Sequence, residues 1–148
     1  KLGIPKFSMT DIAIVYWSGT GNTEAMANLV AEGIKDAGKD VDIISAESFS
    51  AADMPRYTRL AFGCPSMGDE VLEEEVFEPM FAEIEGSLGG KTVGLFGSYG
   101  WGDGQWMRDW VDRCRADGAD VVGDVIANEY PGDAESEDCR ALGAKVAA

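Results

Sequence analysis

The chain contains no histidine, which removes every catalytic triad, metal centre and acid–base scheme built on imidazole. Cysteine is scarce. Cys64, Cys114 and Cys139 form no C-x-x-C pair and leave no fourth ligand for a zinc or iron–sulfur centre. An odd, scattered set of this kind predicts reduced thiols and a cytoplasmic location. Bases are also few, 12 against 27 acids, for a formal net charge of −15. Binding to nucleic acid depends on cationic side chains that release counterions from phosphates, so nucleic acid is a poor partner. An anionic membrane surface is excluded on the same ground, and no apolar run approaches the roughly 18 residues of a membrane span.

What is present suits a folded domain. The 148 residues are 45% hydrophobic, enough to build one core and too apolar for disorder. Lys1 to Ser8 carry no apolar period and precede Met9; they are expected to be a non-native or disordered arm, leaving residues 9–148 as a single domain. Glycine is over-represented, at 19 residues, and seven of these fall between Gly89 and Gly104, a clustering that marks a functional loop rather than ordinary turns.

Ile12 to Tyr16 form a short continuous apolar run, the pattern of a strand buried on both faces. A Gly- and Thr-rich turn follows, then Met26, Leu29, Val30, Ile34 and Ala37 recur at helical spacing until Gly38. Further strands are predicted around Val41–Ile44, Leu60–Gly63, Thr92–Phe96 and Val121–Ala127. Helices are predicted from the stripe Phe77, Met80, Phe81, Ile84 and Leu88, from Trp106 to Cys114, and around Cys139, Leu142 and Val146. Pro79 is tolerated only in a first turn, so the second helix is expected to begin near it after an irregular entry. Strand and helix alternate throughout, which predicts a doubly wound α/β sandwich around a five-stranded parallel sheet. Ligands of such folds sit outside the carboxyl ends of the strands, where strand order reverses.

Three loops fall at those ends. The first, Trp17-Ser18-Gly19-Thr20-Gly21-Asn22-Thr23, supplies hydroxyls, an amide, two glycines and a helix start, which together make an anion cradle. It has neither the lysine of a Walker loop nor the G-x-G-x-x-G of a dinucleotide fold. A phosphate held there would rest on hydrogen bonds alone, which favours a permanently bound ligand with other anchors. The second loop is Cys64-Pro65-Ser66-Met67-Gly68-Asp69-Glu70. The third, Gly97 to Gly104, carries Ser98, Tyr99, Gly100, Trp101 and Gly102. Its glycines leave the Trp101 indole free to stack on a flat ligand, with the Met67 thioether available for the opposite face. A phospho-accepting receiver would need an aspartate where Cys64-Pro65 stands, and a low-molecular-weight phosphatase would need a cysteine–arginine phosphate loop. Trp106 and Trp110, one helical turn apart, read as core, as do Met26, Met80 and the cysteines.

Taken in order, Val15 to Glu24, Met67 to Glu70 and Leu95 to Gly104 resemble the motifs of short-chain flavodoxins from anaerobic bacteria. The likeness runs from about Asp11 to the C-terminus. The resemblance implies strand order 2-1-3-4-5, one non-covalent FMN, and low-potential one-electron transfer, mainly between semiquinone and hydroquinone, without turnover of a substrate. By the same resemblance, Ser18, Thr20, Asn22 and Thr23 with the amides around Gly19 and Gly21 would hold the phosphate. Met67 and Trp101 would flank the ring, the backbone of Ser66 and of Ser98 to Gly102 would line it, and Glu70 would accept from the flavin N3–H. The peptide at Gly68-Asp69 would turn over when the first electron arrives. Partners would be basic-surfaced redox proteins docking on an acidic monomer: eight acids and no base lie between Leu60 and Gly90. Other readings on the same scaffold are an FMN-dependent NAD(P)H or quinone reductase and a flavodoxin-like domain cut from a larger flavoprotein.

Overall fold

The computed structural model describes residues 9–148; the expectation for Lys1 to Ser8 lies outside them. Five strands form one parallel sheet: β1 (Ile12–Tyr16), β2 (Asp42–Ser45), β3 (Arg59–Gly63), β4 (Thr92–Tyr99) and β5 (Asp120–Asn128). Their order is β2-β1-β3-β4-β5, so the direction of winding reverses beside β1. Four helices cover the sheet: α1 (Asn22–Asp36), α2 (Phe77–Ile84), α3 (Gln105–Ala116) and α4 (Asp133–Ala147).

The period-2 alternation of strand side chains splits the core into two layers. Ala13 and Val15 of β1, Leu60 and Phe62 of β3, and Val93 and Leu95 of β4 face α2 and α3, where they meet Phe77, Phe81, Trp106 and Trp110. Ile12, Ile14, Tyr16, Ala61 and Phe96 face α1 and α4. Those two helices approach closely because of glycine: a Cβ on Gly33 would lie 2.0 Å from the Arg140 carbonyl, and one on Gly143 would lie 2.1 Å from that of Val30. Met26, Met80, Trp106, Trp110 and all three cysteines are buried, and the cysteines are free thiols. Burial pushes the Cys114 and Cys139 thiols up to about 12 and Cys64 higher still, so none is a thiolate nucleophile.

Two details depart from expectation. No α-helix crosses from β2 to β3. That segment forms two 3₁₀ turns, Ala46–Ser48 and Ala51–Arg56, because Pro55 interrupts helical hydrogen bonding and Ser50 and Asp53 close a capping box. Phe49, Met54 and Tyr57 fill the layer where a helix would have packed. The fourth strand also continues past Phe96. Gly97, Ser98 and Tyr99 pair with Ile126, Ala127 and Asn128 of β5, so the loop begins at Gly100. Gly97 is strand rather than turn: a Cβ there would sit 2.1 Å from the Cys64 carbonyl.

Helix α2 begins as Pro79 requires, with the proline at the third helical position. Its entry is organised by Glu73, which is buried and accepts from the amides of Glu75, Val76 and Phe77 at 2.8, 2.8 and 2.7 Å. These are charge-assisted bonds to a helix start that the macrodipole makes favourable for an anion.

Candidate functional site

The loops after β1, β3, β4 and β5 meet at the carboxyl edge of the sheet around a cleft of about 170 Å³. The β1 loop is ordered by its own side chains. Ser18 Oγ accepts from the amides of Gly21 and Glu24, both at 3.2 Å, and Thr20 Oγ1 accepts from Asn22 N at 3.4 Å. Gly21 takes φ +96 as the residue before α1, a left-handed turn that a side chain would strain. Among the described residues the amides of Gly19, Thr20 and Thr23 have no protein acceptor. They are the orphan donors of a helix start, available to an anion. Below them Thr23 is buried: its hydroxyl lies 3.0 Å from that of Ser98 and accepts from Ser98 N at 3.3 Å. Tyr16 OH donates to Glu24 Oε2 at 2.9 Å, and burial, that hydrogen bond and the carboxylate charge push the phenol up to about 12.

The β3 loop extends the sheet by two bonds, Cys64 N to Phe96 O at 3.1 Å and Ser66 N to Ser98 O at 2.9 Å. Met67 and Val71 then exchange two backbone hydrogen bonds, at 2.8 and 2.9 Å, which close a tight turn over Gly68, Asp69 and Glu70. Gly68 at φ +50 and Glu70 at φ +57 both take left-handed conformations. For Glu70 that is uncommon and costs about 1 kcal/mol. An offsetting contact is on the neighbouring loop: Glu70 Oε1 accepts from Gln105 N at 3.0 Å. Gly102 makes space for it, since a Cβ there would lie 2.5 Å from the Glu70 carboxyl carbon.

Met67 is 39% exposed and Trp101 62%, so the two adjacent loops present a thioether and an indole to solvent. The cleft is lined by Ser18, Gly19, Thr20, Asn22, Thr23, Ser66, Met67, Ser98, Tyr99 and Gly100, which brings ten of the expected residues together. Gly21 is not in the lining; it forms the left-handed turn into α1 and donates to Ser18 Oγ. Gly68, Asp69, Glu70, Trp101 and Gly102 form the turns beside it rather than its lining. Three lining residues were not among the expected site residues: Trp17, Pro65 and Glu129. The first two stand inside motifs already noted. Glu129 follows β5, and only the parallel topology carries it to this edge. It takes φ +59 and donates from its amide to Tyr99 O at 2.9 Å. No base lines the cleft, and Arg108 at the start of α3 is tied to Asp103 at 2.8 Å.

A doubly wound α/β protein with an uncharged phosphate-type cradle at its switch point, and exposed flat and thioether side chains beside it, belongs to the class that holds a flat, singly phosphorylated cofactor. Residues 14–143 match the family model for flavodoxin. The chain is 48% identical over 136 residues to a flavodoxin of Megasphaera elsdenii, covering 92% of this chain and 98% of the relative. It is 48% identical over 134 residues to one of Clostridium beijerinckii, covering 90% and 97%. The solution structure of the two-electron reduced Megasphaera elsdenii flavodoxin superposes with a TM-score of 0.86 over 92% of this chain and 98% of that one. The chain belongs to the flavodoxin family.

Proposed function

We propose that residues 9–148 work as one FMN-binding electron carrier, an electron-transfer protein rather than an enzyme, passing single electrons at low potential between redox partner proteins. The observation that carries this reading is the cradle itself: free amides and hydroxyls without a cation, beside an exposed indole and thioether. FMN, when bound, supplies the isoalloxazine that accepts and releases electrons one at a time.

The chain's own residues divide the work of holding it. The hydroxyls of Ser18, Thr20 and Thr23, the Asn22 side chain and the free amides of Gly19, Thr20 and Thr23 suit a phosphate dianion, with the positive end of α1 behind them. Met67 and Trp101 suit the two faces of a flat ring. The backbone from Ser98 to Gly102 and at Ser66 offers donors to its polar edge, and Glu70 offers an acceptor. Gly68 keeps the turn beside Met67 free to rotate its following peptide, since no Cβ opposes either arrangement. The acids at the site, Asp69, Glu70 and Glu129, disfavour net negative charge on a bound group and so hold the second reduction at low potential.

The same surface favours partners of opposite charge, and a cytoplasmic monomer docking on basic redox proteins fits the net charge of −15. Among the described residues no helix is long and apolar enough to cross a membrane. The test is direct. FMN-free protein titrated with FMN is expected to quench flavin fluorescence at one equivalent. Anaerobic dithionite titration of the loaded protein is then expected to proceed in two resolved one-electron stages. Absence of stoichiometric binding, or steady NAD(P)H oxidation by the isolated protein, would overturn the reading.

A further inference from the structure

The loop that carries Met67 is buried at both feet and exposed between them. Cys64, Leu72 and Glu73 are buried, whereas Met67, Gly68, Asp69 and Val71 are exposed. One thiol closes the feet on each other. Cys64 Sγ accepts from Glu73 N at 3.3 Å and donates to Pro65 O at 3.6 Å. The carboxylate of Glu73 takes the amides of Glu75, Val76 and Phe77, which fastens that foot to the start of α2. The other foot is fastened to β4 and α3: Cys64 N donates to Phe96 O at 3.1 Å, and Cys64 O accepts from Trp106 Nε1 at 3.2 Å. Neither Cys64 nor Glu73 lines the cleft, so holding FMN does not account for this arrangement.

We propose that the Cys64–Glu73 clasp is a positioning element for the first one-electron step, fixing both feet of the turn in which the Gly68–Asp69 peptide rotates. A loop with fixed feet exchanges between few arrangements, because only its exposed residues are free to move. With one foot released, the loop gains arrangements that bring no backbone group to the ring. The redox state that needs one particular arrangement is then penalised by the entropy of ordering it. The clasp therefore favours uptake of the first electron without touching the ring. The second electron arrives with the turn already set, so the clasp leaves the second potential alone. Cys64 acts through the amide of Glu73 and not by chemistry of its own: burial keeps its thiol protonated, and the sulfur lone pair is the part used. The inference rests on the carrier reading and adds to it two residues outside the cleft.

The test compares FMN-loaded Cys64→Ala, Cys64→Ser and Cys139→Ala with the unmutated protein by anaerobic potentiometric titration. Cys64→Ala removes the acceptor and leaves the net charge as it was. It is expected to lower the equilibrium constant for uptake of the first electron about threefold or more. That is a potential about 30 mV more negative for a one-electron couple, with the second potential unmoved. Cys64→Ser keeps an acceptor for Glu73 N and is expected to recover most of the loss. Cys139→Ala removes the same atom from the α1–α4 layer and is expected to move neither potential. Equal shifts in Cys64→Ala and Cys64→Ser, or a matching shift in Cys139→Ala, would overturn the proposal. So would a lowered melting temperature in Cys64→Ala with an unmoved first potential, which would make the clasp structural alone. Amide exchange in the unmutated, loaded protein needs no variant: Glu73 N–H is expected to exchange slowly, and exchange as fast as at Asp69 would also overturn it. Failure of the unmutated protein to take up FMN would instead defeat the carrier reading, and the loading step reports that separately.

Discussion

The hydroxyl oxygens of Thr23 and Ser98 lie 3.0 Å apart in the interior although 75 residues separate them in the chain. This contact joins the first turn of α1 to the end of β4, and so fixes the phosphate-type cradle relative to the loop that carries Trp101. Ser98 N also donates to Thr23 Oγ1. Thr23→Val keeps the shape and removes the oxygen, leaving a buried amide and hydroxyl without their partner. That costs about 1–3 kcal/mol. Urea unfolding is expected to show the loss, together with weaker FMN binding by fluorescence quenching, and Thr23→Ser should retain most of both. Unchanged FMN affinity in Thr23→Val would show that the contact is structural alone.

Gly68 sits at φ +50 in the turn closed by Met67 and Val71. A residue with a Cβ loses about 1–2 kcal/mol in that left-handed region. We expect the protein carrying one electron to favour this turn, so Gly68→Ala should make the first one-electron potential more negative by about 40–90 mV, the same energy expressed for a one-electron couple. Potentiometric titration of both proteins reads this directly. A first potential that does not move would separate the turn from the redox step.

Most of the fold and the cradle could be read from the chain because their signals are local. Ile12 to Tyr16 are apolar at every position, which only a strand covered on both faces allows, and Ser18 to Thr23 are contiguous. Trp101 announced its exposure through the glycines around it, and it is 62% exposed. What escaped depends on distant partners. Gly97 read as a turn residue, yet its reason is clearance for the Cys64 carbonyl, which no local pattern shows. The missing helix between β2 and β3 reflects Pro55 and the Ser50–Asp53 cap, against a hydrophobic content that resembles the other crossovers. Glu129 joined the site only through the pairing of β5 with β4.

Asp117 follows α3 with its carboxyl toward Glu85, and its Oδ2 is buried without a partner. Burial first, then the Glu85 carboxylate, push its pKa up, whereas the hydrogen bond from Arg113 chiefly pulls Glu85 down. The two therefore act oppositely with pH. Glu85 contributes stability above its ordinary carboxylate range and loses it as pH falls through its lowered value. Asp117 contributes below that range and loses its contribution as pH rises through its raised value. Asp117→Asn, which removes the titrating group, is expected to raise the urea midpoint at a pH above the raised value, with the gain fading as pH falls through the ordinary carboxylate range. Midpoints on either side of that range check this, and a gain that persists in acid would point to packing rather than charge.

Glu129 brings a carboxylate to the rim of a cleft with no base in its lining. Its amide is held by Tyr99 O at 2.9 Å, and its Oε2 lies only 2.9 Å from where a Cβ on Gly100 would stand, so the charge is tethered close to the Gly100 backbone that lines the cleft. A fixed negative charge opposes a second electron more than the first, because the second reduction leaves the bound group anionic. Across a partly solvated gap the interaction is about 1 kcal/mol, near 40 mV for one electron. Glu129→Gln should therefore make the second potential less negative by roughly that amount, and the shift should shrink as salt screens it. Asp36→Asn removes the same charge at the far end of α1, away from the carboxyl edge of the sheet. Equal shifts from both substitutions would mean that net charge, and not the placement of Glu129, sets the second potential.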